Sequence, residues 1–201
     1  MNNEAQSGFL VGELVVLEPL GREHIPALSI AVSDGQLWQL WYTSAPHPEE
    51  MKAFVDKALE AEEQGEALAF VVRDKFSGKI VGSTRLMAWD QANRRLEIGH
   101  TWYAKSAQRT GINTEAKFLL LQYAFEVLDV IAVEFRTHWN NQRSREAITR
   151  LGAKQDGVLR NHRILKDGTI RDTVVYSIID SEWPAVKQNL IHLMSQFEPP
   201  K

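Results

Sequence analysis

Between Asn113 and Leu128 the apolar residues Ala116, Leu119, Leu120, Tyr123, Ala124, Val127 and Leu128 recur at steps of three and four. Only a helix gathers such positions on one side. Glu115, Lys117, Gln122 and Glu126 fall elsewhere in the repeat, which predicts a polar face for them. This helix is preceded by RRLEIGHTWY (94–103) and followed by Ile131–His138, both of which read as strands. The order strand, helix, strand commits this part of the chain to a sheet with a helix packed on it.

The remaining elements fit around that unit. Glu13–Pro19 is a first strand ended by proline, Arg22–Val32 a short helix with Pro26 in its first turn, and Pro48–Gln64 a second helix. Ala67–Arg73 and Lys79–Ala88 are strands joined by DKFSGK, with Gly78 near the end of the turn. Gln142–Leu151 is a helix stopped by Gly152. Gln155–Leu165 and Thr169–Ile179 form a hairpin around KDGT, and Ser181–Gln196 is a last helix that Ser181 should cap. The expectation is an α+β fold with a mixed, mostly antiparallel central sheet flanked by helices. No repeat, low-complexity tract or linker divides the chain, so residues 1–201 read as one domain.

Composition excludes several functions. The apolar share is 44%, the charged share 24% and the net charge −3 without a basic block, so a nucleic-acid partner is not favoured. There is no cysteine, which removes disulfides, thiolate catalysis and cysteine-bound zinc. Six histidines at 24, 47, 100, 138, 162 and 192 show no ligand spacing, so no metal site is expected. No window approaches the ~20 apolar residues of a membrane span, and MNNEAQSGFLVGELVVL lacks a signal peptide's basic start and apolar run. A cytoplasmic protein without a membrane partner is expected.

Two stretches carry chemistry. Gln108-Arg109-Thr110-Gly111-Ile112-Asn113-Thr114 joins the strand to the long helix. A helix start presents unpaired amides and the positive end of the dipole, and Arg109 adds a cation, a combination suited to a diphosphate. The same junction also reads simply as a turn and a cap. Neither a Walker A sequence nor a dinucleotide fingerprint is present. About thirty residues later Asn141-Gln142-Arg143-Ser144 opens a helix that ends at Gly152-Ala153.

Together these motifs resemble the GNAT superfamily of N-acetyltransferases, whose long helix starts with Gln/Arg-x-x-Gly-x-Gly/Ala and whose next helix opens with Asn-x-x-Ser/Ala. LEIGHTWY, GINTEAK and YSIIDSEW resemble the ribosomal-protein N-terminal (Rim-type) branch. The resemblance runs from Glu13 to about Trp183. Two positions depart from the superfamily pattern: Asn113 stands where the loop has Gly or Ala, and Ile148 where many members have a thiolate-protonating tyrosine. A third departs from the branch, which has a glutamate where Arg163 stands.

The resemblance implies acetyl-CoA as co-substrate, direct transfer to an amine acceptor in a ternary complex, and no metal; it leaves room for a homodimer. The cofactor residues it implies are Ile98, Thr101, Trp102 and Tyr103 on the strand, Gln108, Arg109, Thr110, Gly111, Ile112, Asn113 and Thr114 at the helix start, and Asn141. Gly99 suggests a bulge near Ile98–Gly99 or a core contact. Ser144 is the candidate proton donor to the departing thiolate or else a first-turn residue; Asn141 bonds the coenzyme, caps its helix, or does both. Glu97 is the candidate base or an ion-pair partner of Arg94 or Arg136. His100 is grouped with the acceptor and could also act as base, while His138 and His162 are weaker candidates. Trp38, Trp41 and Tyr42 line the acceptor groove or, for the tryptophans, belong to the core. The acceptor is a peptide N-terminal α-amine or a small amine; a non-catalytic acyl-CoA-binding module is the alternative from another class.

Overall fold

The computed structural model describes residues 8–197. Eight strands form one sheet: β1 (Leu10–Val11), β2 (Val15–Pro19), β3 (Ala67–Asp74), β4 (Ile80–Asp90), β5 (Arg95–Tyr103), β6 (Ala132–His138), β7 (Lys154–Ile164) and β8 (Ile170–Ile179), in the order β1-β2-β3-β4-β5-β6-β8-β7. Every neighbouring pair is antiparallel except β5–β6. Five α-helices flank the sheet: α1 (Ile25–Ser33), α2 (Met51–Glu63), α3 (Ile112–Glu126), α4 (Gln142–Arg150) and α5 (Trp183–Met194). The α+β class and mixed sheet are as the sequence predicts.

Local differences have local causes. The stretch Arg22–Val32 divides into a 3-10 turn, Arg22–His24, and α1, with Pro26 within the first two positions of α1. The last helix starts at Trp183 with Glu182 at its N-cap, so Ser181 is not the cap. Gly152 follows α4 at φ +105°, a conformation that favours glycine and ends the helix.

The helices fall on both faces of the sheet. Phe54 of α2 lies under the Arg85 guanidinium of β4, 4.5 Å from ring to Cζ. Lys117 of α3 reaches Thr84 and Thr101 on the opposite face. Phe125 of α3 stacks on Trp183 of α5 at 5.3 Å, and Arg145 of α4 donates to the Tyr176 hydroxyl at 3.1 Å.

Helix α3 departs from expectation. Glu115 and Lys117 are buried, each 5% exposed, alongside Ala116, Leu120 and Ala124. The Glu115 carboxylate accepts the amides of Glu13, Leu14 and Val15 at 2.7–2.8 Å, clamping the start of β2. The sequence repeat finds the apolar stripe but not the second layer that closes over the other side.

Candidate active site

Strands β5 and β6 run side by side for only three residue pairs, Arg95–Ala132, Leu96–Val133 and Glu97–Glu134. Beyond them β6 stays paired to β8 as far as His138, and β5 stays paired to β4 as far as Tyr103. The two strands therefore diverge, leaving a fork edged by Ile98–Tyr103 and Phe135–His138. Backbone groups on a splayed edge are available to an extended ligand.

The bulge that turns β5 lies two residues past the predicted place, at His100–Thr101 rather than Ile98–Gly99. Arg85 faces Gly99 and Ser83 faces Trp102, so His100 and Thr101 together oppose Thr84; His100 takes φ +47°. A β-carbon at Gly99 would lie 2.7 Å from Met87 Sδ and 3.0 Å from Glu97 Oε1, so this glycine also makes a close side-chain approach. The bulge brings His100 to the face of Glu97 and Arg85, where its ring meets Phe54 at 6.0 Å.

Burial raises the Glu97 carboxyl pKa, an effect partly offset by Arg136, whose Nε is 3.6 Å away. Of the two ion-pair partners expected for Glu97, Arg136 is present; Arg94 pairs with Asp129 instead. Burial, Arg85 and Arg163 lower the His100 pKa to about 4, leaving a neutral and weakly basic imidazole at pH 7. Trp102 and Tyr103 are core residues, and only their backbone borders the fork. Ile98 is buried as well. Thr101 Oγ1 accepts from Lys117 Nζ at 2.6 Å and lies 2.8 Å from Thr84 Oγ1. Burial lowers the Lys117 pKa to about 7.

The helix start lies beyond the end of β5. Gln108 Nε2 donates to the Tyr103 carbonyl at 3.0 Å, tying loop to strand. Thr110 Oγ donates to the Ala107 carbonyl at 2.7 Å and accepts from the Ile112 amide at 3.3 Å. Gly111 is the N-cap of α3, and the first intrahelical bond runs from Glu115 N to Gly111 O at 3.0 Å. The amides before Glu115 are therefore left to other partners.

Gly111 has ordinary helical angles (φ −65°), and a β-carbon there would meet Leu14 Cδ1 at 2.5 Å and the Phe197 ring at 3.1 Å. The loop thus packs closely against the residue before β2 and against Phe197. Arg109, exposed at φ +63°, is the residue in the left-handed region. Asn113 lies inside the first turn of α3 and is neither cap nor left-handed. Thr114, 1% exposed, accepts from Arg150 Nη2 at 3.4 Å, which brings a second cation to this end.

At the other prong, Asn141 caps α4: its Oδ1 accepts the Ser144 amide at 3.2 Å. Ser144 is half-buried in the first turn, and Ile148 is buried. The tryptophans separate. Trp38 packs partly buried against the core with its ring on His47, while Trp41 is 50% exposed and meets the His138 ring at 4.8 Å, with Tyr42 beside it. The segment Leu37–Gln39 is a 3-10 turn, so the two indoles do not share a helical face. His138 Nδ1 accepts the Asn140 amide at 3.0 Å, and Nε2 is buried without a partner among the described residues. His162 approaches Thr173 Oγ1 at 3.0 Å. No cluster of metal-ligating side chains occurs among the described residues.

The acetyltransferase (GNAT) domain model matches residues 15–154, a span that takes in the fork and the helix start. The chain belongs to the GNAT acetyltransferase family. A GCN5-related N-acetyltransferase from Brucella melitensis superposes with a TM-score of 0.83 at 35% identity, covering 94% of this chain and 86% of that one. YdaF of Bacillus subtilis, whose name assigns it provisionally to ribosomal N-acetylation, is 35% identical over 112 residues. That match takes in 56% of this chain and 60% of YdaF, so this chain spans about 60% of the curated relative's length. RimJ of Mycobacterium smegmatis, solved with CoA-disulfide, shares the fold with a TM-score of 0.76 at 22% identity, covering 89% of this chain and 88% of that one. Sequence reasoning missed Arg85, Lys117, Arg150 and Arg171 in this GNAT domain. Of these, only Lys117 carried a signal, a charge beside the apolar stripe of the long helix.

Proposed function

We propose that the protein is an acetyl-CoA-dependent N-acetyltransferase acting in the cytoplasm on a primary amine, with a peptide N-terminal α-amine as acceptor. The observation that carries this reading is the β5–β6 fork opening toward the uncapped start of α3. Acetyl-CoA supplies an activated acyl group on an extended polar arm ending in a diphosphate. Strand edges at Ile98–Tyr103 suit the arm, and the amides around Arg109–Thr114 suit the diphosphate, with Arg109 and Arg150 adding charge.

An amide of β5 donates to the thioester oxygen as negative charge develops there. Glu97, made more basic by burial, takes the proton of the incoming amine directly or through water. An α-amine, with a pKa of roughly 7.7–8.0, is already partly neutral and needs little help. As the amine nitrogen bonds to the acyl carbon and the C–S bond breaks, Ser144 passes its hydroxyl proton to the thiolate and takes one from solvent in its place, and Asn141 fixes the turn that carries Ser144. Positioning supplies much of the acceleration, for which roughly 7–11 kcal/mol is within reach.

Incubation with acetyl-CoA and pooled peptides and amines tests the reading by thiol release and mass spectrometry. Acceptor-dependent thiol release and an acetyl mass gain on a peptide N-terminus are expected. Gain on small amines alone would move the acceptor to that class. Tight CoA binding with no turnover would support the non-catalytic module, and absence of any CoA protection against heating would overturn the cofactor site. Ser144→Ala should lower kcat by about 10²-fold. Substitution of Gly111 is a less clean test, since an added side chain must displace Leu14 and Phe197 as well as meet the coenzyme.

A further inference from the structure

The face of the sheet that carries Glu97 holds a surplus of guanidinium groups. Glu97 pairs in register with Glu134 of β6, and Glu134, Arg136 and His138 pair with Ser177, Val175 and Thr173 of β8. Two residues on, Arg171 lies on the same face and directly opposes Arg163 of β7. Arg85 is on this face too, opposite Gly99. Only two carboxylates accompany them on β5 and β6: Glu134 is engaged by Arg95 and Arg136, and Glu97 lies beside Arg136.

Arg85, Arg163 and Arg171 form no ion pair among the described residues. The Arg163–Arg171 juxtaposition places like charges opposite each other, which is unfavourable without a shared counter-ion. Arg171 donates from Nε to Thr173 Oγ1 at 3.0 Å; burial and Arg163 lower its pKa, and the charge of Glu97, which lies beyond ion-pair distance, offsets this only in part. Arg85 is 6% exposed; its Nη2 donates to the Phe54 carbonyl at 3.1 Å, while Nε is buried without a partner. A buried guanidinium facing no carboxylate is costly unless an anion arrives. The hairpin carrying Arg163 and Arg171 reaches the 3-10 turn just before α2 through Lys166 Nζ and Glu50 Oε1, 2.9 Å apart, so it arches toward the helix that holds Phe54.

We infer that the acceptor amine carries an oxyanion group, a carboxylate or a phosphate, which Arg163 and Arg171 take up from the hairpin side and Arg85 from the α2 side. The paired donors of a guanidinium match either group. This rests on the acetyltransferase reading and narrows its substrate class.

The test uses the full chain with matched acceptors: serine against serinamide, Ser-Asp-Ala-Ala amide against Ser-Asn-Ala-Ala amide, and phosphoethanolamine against ethanolamine. In at least one pair the anionic member should have a kcat/KM about tenfold or more above its neutral partner, the scale of one charge-assisted contact. The favoured pair identifies an α-carboxylate, a side-chain carboxylate or a phosphate as the source. That ratio should fall toward one in Arg163→Gln, an exposed position with little folding risk, and further in Arg163→Gln/Arg171→Gln. Equal rates in all three pairs, or a ratio unchanged in Arg163→Gln, would overturn the inference. If no amine is acetylated, the catalytic reading fails separately, and calorimetry with the N-acetylated forms of the same pairs decides. Tighter binding of an anionic member, weakened in Arg163→Gln, supports the anion site; equal or absent binding sinks it.

Discussion

The two faces of β5 at its bulge treat buried polar groups in opposite ways. On the α3 face, Lys117 donates to Thr84 and Thr101, and Glu115 receives three backbone amides. On the α2 face, Arg85 Nε, His100 Nδ1, Trp102 Nε1 and His138 Nε2 are buried without partners; among the described residues only the Tyr103 hydroxyl, on the α3 face, shares that condition. An unpaired buried donor or acceptor costs about 1–3 kcal/mol. The face that serves as scaffold therefore satisfies its polar groups apart from the Tyr103 hydroxyl, and the face beside Glu97 holds groups at Arg85, His100 and His138 that an incoming substrate can complete.

The largest effect that would sharpen this contrast is on the scaffold side. Glu115→Ala removes the acceptor of three amides and should lower stability by at least about 3 kcal/mol, read from the denaturant midpoint. A loss below ~1 kcal/mol would break the comparison.

Next, Glu97→Gln should reduce kcat by about 10²-fold with little change in melting temperature, because the amide keeps the shape and loses the base. In the unmodified protein the acid limb of kcat/KM should lie above the usual carboxylate range, since burial raises the Glu97 pKa. An unchanged kcat in the variant would remove Glu97 from the chemistry.

Lys117 gives a pH signature. Its folded pKa of about 7 lies below the ordinary lysine value of 10.5, so between these limits the unfolded chain holds the additional proton. Stability is then penalised in full below pH 7, rises as pH climbs from 7 toward 10.5, and flattens beyond. Lys117→Met should abolish that rise in denaturant titrations at pH 7 and 9. An identical slope in both proteins would show that the amine is not buried as described.

The smallest effect is expected on the acceptor side. Trp41→Ala should raise acceptor KM roughly threefold, consistent with loss of one exposed aromatic contact of 0.5–1 kcal/mol, and leave the KM for acetyl-CoA alone. A matching rise in both constants would place the indole elsewhere in the cycle.

Much of the fold was legible because it is written in local periodicity. The strand–helix–strand unit around Asn113–Leu128, the KDGT hairpin and the Gly152 stop each depend on a few adjacent residues. The Asn141 cap was legible for the same reason: one side chain bonds an amide three residues on. The bulge was foreseen near Gly99 but not placed, since its position depends on how β4 pairs across from it. At Gly111 the sequence marks a turn before a helix, whereas the neighbours around it, Leu14 and Phe197, are distant in sequence.

By itself the sequence determined the element order from β2 onward, the helix start after Gly111, the Asn-x-x-Ser opening of α4 and hence the family resemblance; the short β1 was not foreseen. Tertiary structure alone decided where β5 leaves β6, that Glu115 and Lys117 are buried, and that Arg85, Arg163 and Arg171 share one face with Glu97. The reason is physical: periodicity specifies which side of an element is apolar, whereas strand register and the layers packed over a helix bring together residues far apart in the chain, and those contacts set burial, charge balance and the opening of the fork.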